Sequence, residues 1–228
     1  ASSDADENIA IGNNCMAGNF GGNAVHDCVA IGSDALDAVL TSTASGSIAI
    51  GKSALSALTT GAGNTAVGYQ VGLALTIGRY NTVMGDRSLN AETVGDFSTA
   101  IGYNSLYKQN SDSDNEVTGN TGLGAYTGFN NVTGKNNTYV GYNSGFGGTG
   151  SNSGNTGVGK NTCDSITTAN QSIFIGSSAG DALIVTGTGN KNDGQIGIGS
   201  NALAALTDGA GNVAVGYQAG LEVVTSNY

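Results

Sequence analysis

A short pattern, apolar–x–apolar–Gly, returns along the whole chain. A glycine follows a three-residue apolar or β-branched stretch at Gly12, Gly32, Gly51, Gly68, Gly85, Gly102, Gly124, Gly141, Gly159, Gly176, Gly199 and Gly216. The intervals are 20, 19, 17, 17, 17, 22, 17, 18, 17, 23 and 17 residues. The base period is therefore 17 residues, with insertions of one to six. Self-similarity at a fixed short period marks a repeat architecture, and insertions that leave the motif intact belong in loops.

Reading down the repeats is more informative than reading along them. Immediately before the glycine stand Ile11, Ile31, Ile50, Val67, Met84, Ile101, Leu123, Val140, Val158, Ile175, Ile198 and Val215. Two residues earlier stand Ile9, Val29, Ile48, Thr65, Thr82, Thr99, Thr121, Thr138, Thr156, Ile173, Ile196 and Val213, all β-branched and suited to a pleated strand. Period-two alternation places these two columns on one face and the residue between them on the other. The residue between is mostly Ala or Gly, with Val83, Tyr139 and Phe174 as departures. The larger columns are expected to form the core and the Ala/Gly column a flat outer face. Four residues before the glycine, Asn recurs at Asn8, Asn64, Asn81, Asn120, Asn137, Asn155 and Asn212, where stacked amides can bond from rung to rung. After the glycine come a polar pair, a small residue and then Leu or Gly.

The arrangement that sets each column upon itself is an all-β parallel β-solenoid of about twelve coils, one per repeat, spanning residues 1–228 as a single repeat domain. Each coil has roughly three or four sizeable apolar side chains, against an ordering cost of about 1–2 kcal/mol per residue. A lone solenoid this thin is marginal, so lateral association is expected: a homotrimer, or at least an oligomer, with the flat Ala/Gly column allowing close approach. Repeats run to both ends without an evident cap, which predicts a segment of a longer fibre.

Composition narrows the function classes. Acidic residues outnumber basic ones 17 to 7, for a net charge of −10, which repels phosphate backbones and excludes nucleic acid as the expected partner. No apolar run reaches membrane-spanning length, and residues 1–7 carry neither the basic nor the apolar region of a signal peptide. Cys15, Cys28 and Cys163 have no CxxC spacing, and His26 is the only histidine, so no zinc site is expected. An odd count leaves either one bridge and a thiol or no bridge; small buried apolar residues are the favoured reading.

The units Asn64-Thr-Ala-Val-Gly-Tyr-Gln-Val-Gly72, Ser98-Thr-Ala-Ile-Gly-Tyr-Asn-Ser-Leu106 and Asn212-Val-Ala-Val-Gly-Tyr-Gln-Ala-Gly220 resemble two related repeat families. One is the head repeat of trimeric autotransporter adhesins; the other is the repeat array of phage and phage-like tail fibres. The resemblance covers residues 7 to 225. It implies a left-handed parallel β-roll that trimerises side by side and attaches to a cell. The 17-residue spacing is longer than the usual adhesin unit and closer to the tail-fibre arrays.

Several local patterns suggest chemistry. Gly46-Ser-Ile-Ala-Ile-Gly-Lys52-Ser53 satisfies the phosphate-loop pattern, but Ile48, Ala49 and Ile50 are strand columns, whereas the phosphate loop needs a flexible bend between strand and helix. Asp112, Asp114 and Glu116 loosely resemble a calcium loop without its register and read as a solvated acidic insertion. His26 with Asp27 lacks a nucleophile. Asn131, Asn136 and Asn170 head glycosylation sequons, taken as coincidental. Tyr69, Tyr103, Tyr142 and Tyr217 share the position after the glycine, either packing on neighbouring coils or forming a surface aromatic stripe for sugar rings.

The expected function is thus a structural and adhesive fibre segment, with no catalytic residues, cofactor or metal. It is expected to be extracellular, on a virion or cell-surface appendage, and to bind a cell-surface glycan or protein receptor without inserting in a membrane. Loops 103–119 and 177–194 are the expected contact surfaces. The alternative is a self-assembling extracellular filament with head-to-tail stacking. Ice or mineral binding would need an outward Thr array, which the expected inward parity of the Thr column denies; a solenoid depolymerase would need carboxylates clustered across coils.

Overall fold

The computed structural model describes residues 7–18, 23–147, 151–166, 169–182 and 193–225. Its contacts group into two compact units, Ala1–Thr118 and Gly119–Tyr228. The first holds strands β1 (Ile9–Ile11), β2 (Val29–Ile31), β3 (Ile48–Ile50), β4 (Thr65–Val67), β5 (Thr82–Met84) and β6 (Thr99–Ile101), with one 3₁₀ turn at Ser42–Ala44. The second holds β7 (Thr121–Leu123), β8 (Thr138–Val140), β9 (Thr156–Val158), β10 (Ile173–Ile175), β11 (Ile196–Ile198) and β12 (Val213–Val215). Every strand is one of the triplets before a repeat glycine. Within each unit each strand pairs in parallel with the one a coil away, in strict sequence order. The register sets like on like: Thr65 faces Thr82, and Val67 faces Met84. The fold is therefore an all-β parallel β-solenoid with a coil of about 17 residues.

The glycine that ends a strand stacked under a following coil is required twice over. Gly68 has φ +145°, and a Cβ there would lie 2.6 Å from the carbonyl oxygen of Gly85, the same position one coil on. Backbone packs directly on backbone at this corner, and no side chain fits.

The interior reverses the expected parity. From β2 onward the residue in the middle of each strand, not the pair flanking it, points inward: Ala30, Ala49, Ala66, Val83, Ala100, Gly122, Tyr139, Gly157, Phe174, Gly197 and Ala214 are all buried. Facing this wall is the fourth residue after each glycine, including the fully buried Leu36, Leu55, Leu89 and Leu106. These leucines adopt φ of 48–50°, a strained region for a branched side chain, held by the coils on either side. The two walls trade volume. Ala30, Ala49 and Ala100 sit opposite Leu36, Leu55 and Leu106, whereas Tyr139 and Phe174 face Gly145 and Gly180, where a Cβ would come within 2.6 Å and 2.5 Å of the rings. Leu58, Leu75 and Leu206 complete the filling.

The columns Ile11, Ile31, Ile50, Val67, Ile101, Val140, Val158, Ile175, Ile198 and Val215 therefore form the strands but not the core. Ile31, Ile50, Val67, Ile101, Val140 and Val158 are half-buried, and the others are exposed, Ile11 by 59% and Val215 by 67%. The physical reason is clearance: the interior of so narrow a coil is filled from the turns by residues such as Leu36, Leu55, Leu89 and Leu106 and from the strands by Tyr139 and Phe174, which leaves the flanking columns outside. By the same token the Ala/Gly column is sealed inside and is not an outer surface for close approach between subunits. The Thr column faces outward with the aliphatic one.

Inward amides close each coil. Asn137 Nδ2 donates to the carbonyl of Asn152 (2.7 Å), and its Oδ1 accepts from the N–H of Asn155 on the next coil (2.9 Å). Asn64, Asn81, Asn120 and Asn155 repeat the pattern. The Asn column thus bonds across the coil and to the next one, mostly through backbone groups, with the direct amide contact from Asn81 Nδ2 to Asn64 Oδ1 (3.2 Å) as an addition.

The parity has a direct test. Ala49→Leu, opposite the buried Leu55, overfills a sealed site and should destabilise the chain by about 1–3 kcal/mol. The isosteric Val67→Thr, in the outward column, should change stability by less than about 0.5 kcal/mol. Denaturant unfolding of the two variants measures both; the opposite ranking would restore inward aliphatic columns.

Candidate functional site

The candidate sites considered among the described residues are surfaces. The outward strand face carries two side chains per rung at the ~4.8 Å strand spacing. In the first unit these run from Ile9 and Ile11 to Thr99 and Ile101, and in the second from Thr121 and Leu123 to Val213 and Val215. Every one is Ile, Val, Leu, Met or Thr. A flat, uncharged, β-branched face is what a second apolar layer would cover.

The four tyrosines after the glycines are exposed, by 38% at Tyr69, 41% at Tyr103, 51% at Tyr142 and 74% at Tyr217, but they do not make a stripe. The rung between Tyr69 and Tyr103 carries Asp86; the rungs between Tyr142 and Tyr217 carry Lys160, Ser177 and Ser200. Tyr69 lies beneath the Arg87 guanidinium, 5.5 Å from the ring centre. Tyr142 meets Tyr126 edge-on. Aromatic contact occurs elsewhere: Tyr80 stacks on Phe97 (5.3 Å between centroids), both half-exposed, and Phe129 stacks on Phe146 (5.2 Å) beside Tyr126. Sequence reasoning missed these pairs, although each is spaced by one 17-residue period.

The long insertion of the first unit is anchored by a buried carboxylate. Glu92 follows Leu58 and Leu75 in their column but is fully buried. Its Oε1 accepts from the N–H groups of Thr93, Val94, Gly95 and Ser111 (2.8–3.1 Å), and its Oε2 from Gln109 Nε2 and Ser111 Oγ (both 3.0 Å). Gln109 Nε2 continues to Ser98 Oγ, which bonds Thr118 Oγ1. Within the predicted contact loop 103–119, residues 112–115 are exposed, and Glu116 Oε2 accepts from the N–H of Asp112. Of loop 177–194, residues 183–192 lie outside the described residues.

The other chemical candidates resolve locally. The phosphate-loop pattern runs through β3, so Ile48–Ile50 is extended backbone and not a bend before a helix. Among the described residues no group of three or more His, Cys, Asp or Glu side chains converges, Asp112, Asp114 and Glu116 included. His26 sits in a coil corner, its N–H donating to Ser45 Oγ. Asn131, head of a sequon, is buried and bonds Gly134 through both amide atoms. All three cysteines are free thiols; burial pushes each above its ordinary range.

Burial also raises the carboxyls of Asp96, Asp164 and Asp181, and the charge of Asp181 raises Asp164 further. Asp164 Oδ1 is buried without a hydrogen-bond partner among the described residues. A carboxyl raised in the folded state binds its proton more tightly there than in the unfolded chain. Its stabilising contribution is full below the unfolded value of 3.8 and is lost as pH rises through the folded value. Thermal melts should therefore give a higher Tm at pH 5 than at pH 7. Asp164→Asn should raise the pH 7 Tm by about 1–3 °C and flatten that slope.

No family model, no curated protein and no solved structure significantly matches this chain.

Proposed function

We propose that this chain is a structural and adhesive fibre segment that assembles side by side as a homotrimer and attaches an extracellular appendage to a cell-surface receptor. The observation that carries this reading is the outward strand face: an uncharged, flat array of β-branched and aliphatic side chains with no second layer to cover it among the described residues. Closed assembly about a three-fold axis turns three such faces toward each other, which buries them and leaves the coil corners and insertions outside. The repeat resemblance to tail fibres and adhesin heads favours the same stoichiometry. Assembly and attachment divide the surface between them: the strand face for neighbouring copies, the corners and the Glu92-anchored insertion for the receptor.

Light scattering should give a solution mass three times that of one chain. The double variant Val67→Asp/Ile101→Asp places charges on the outward face and should give monomers with unchanged far-ultraviolet circular dichroism; a monomeric parent chain sinks the assembly. Attachment is read separately, by retention of labelled chain on a panel of whole bacterial cells.

One observation favours a second reading. Thr65, Thr82 and Thr99 occupy successive rungs of the outward face, as do Thr121, Thr138 and Thr156. The outward Thr array that ice binding requires is thus present in each unit. A thermal-hysteresis measurement decides it: a freezing-point depression above the colligative value at micromolar protein would move the strand face from assembly to ice.

A further inference from the structure

One corner of the coil takes left-handed backbone in every repeat, whatever the residue. Five positions before the motif glycine, φ lies between 54° and 75° at all twelve corners, at glycines such as Gly63 and Gly154 and equally at Tyr80, Asn136 and Gln171. The conformation is held from outside: the Gly154 N–H donates to the carbonyl of Lys135 (2.9 Å) and the Gln171 N–H to that of Ser153 (3.0 Å), each on the preceding coil. The backbone is thus constant along this corner while the side chain is free to vary.

In the second unit that variation opens a notch. Asn136 and Gln171 flank Gly154, so the middle rung has no side chain. The resulting cavity, about 330 Å³, is lined by Asn136, Ser153, Gly154, Asn170, Gln171 and Asp193. Its floor is fixed by a relay of hydrogen bonds. The Ser153 N–H donates to Asn170 Oδ1 (2.8 Å), and the Asn170 N–H and Nδ2 donate to Asp193 Oδ1 (2.8 and 3.3 Å). Ser153 Oγ accepts from the Lys135 N–H (3.0 Å). Above this floor the side-chain amides of Asn136 and Gln171 are exposed and have no hydrogen-bond partner among the described residues.

We propose that the Gly154 notch is a binding subsite for a neutral sugar unit, a hexose or N-acetylhexosamine, at the end of a surface glycan. This rests on the reading of the chain as an attachment segment and names its ligand class and site. The volume is at the lower end of small-molecule pockets, about 300–1,000 Å³. The lining is amide, hydroxyl and one carboxylate, without an apolar or cationic side chain. Each free amide offers a donor and an acceptor side by side, the pair that adjacent sugar hydroxyls complement. The Asp193 carboxylate accepts from a hydroxyl or a sugar N–H and repels an anionic group, so sialylated and phosphorylated glycans are excluded.

The test is glycan-array binding by the full chain, using neutral hexose- and N-acetylhexosamine-terminated oligosaccharides with sialylated ones as controls. Gly154→Asn plugs the notch without disturbing the corner: Asn already holds this conformation at Asn136, and a Cβ at Gly154 would lie 3.5 Å from Gln171 Cγ, an ordinary contact. It should weaken neutral-glycan binding at least about tenfold, as should Asn136→Ala/Gln171→Ala, with Tm and solution mass unchanged. Undiminished binding in both variants, binding to sialylated glycans alone, or no glycan binding at all would each overturn the notch. If glycans fail but whole cells still retain the chain, attachment stands and works elsewhere; if neither binds, the attachment reading fails as well.

Discussion

The structure depends on the clearance inside one coil. About seventeen residues closed into a turn leave little room between the strand and the turn opposite, and on several rungs one wall supplies the large side chain and the other a small one. Leu36 and Leu55 fill from the turn, so the strand gives Ala30 and Ala49. Tyr139 and Phe174 fill from the strand, so the turn gives Gly145 and Gly180. Everything larger that the strand carries is forced outward. The apolar outer face is thus a consequence of the narrow interior, and dense interior packing leaves no freedom to take it back.

Most of the fold can be read from the sequence, because the solenoid writes its register into every repeat. The glycine column marks where backbone stacks on backbone, the triplets before it are the strands, and the Asn column marks a polar ladder. Parity was not legible by the ordinary rule that the larger apolar residues face the core. A three-residue strand offers too short an alternation to determine which side is in, and the apolar pair outweighs its small neighbour. The signal that could have decided it lies across the coil: both aromatic residues in the middle strand column are followed six residues later by glycine.

The surface candidates fared unevenly for related reasons. Tyr69 and Tyr103 share a column but not adjacent rungs, and only adjacency makes a stripe. Tyr80 and Phe97, on successive rungs, do stack. Glu92 looks like a solvated residue in sequence, since nothing nearby announces that Gln109 and Ser111 from the following loop will close around it beside the N–H groups of its own turn. Buried polar anchors of this kind arise from tertiary proximity and have no local signature. The notch at Gly154 was hidden for the opposite reason, being defined by a side chain that is missing between two that are present.

The corner whose backbone angle ignores residue identity bears on how such a protein changes over generations. Elsewhere a substitution must negotiate with the interior, but here the neighbouring coils impose the conformation and the side chain negotiates only with its neighbours along the corner, as Tyr80 does with Phe97. Substitutions can then accumulate at exposed corner positions such as Asn136 and Gln171, by single-codon steps, without taxing the ability to fold.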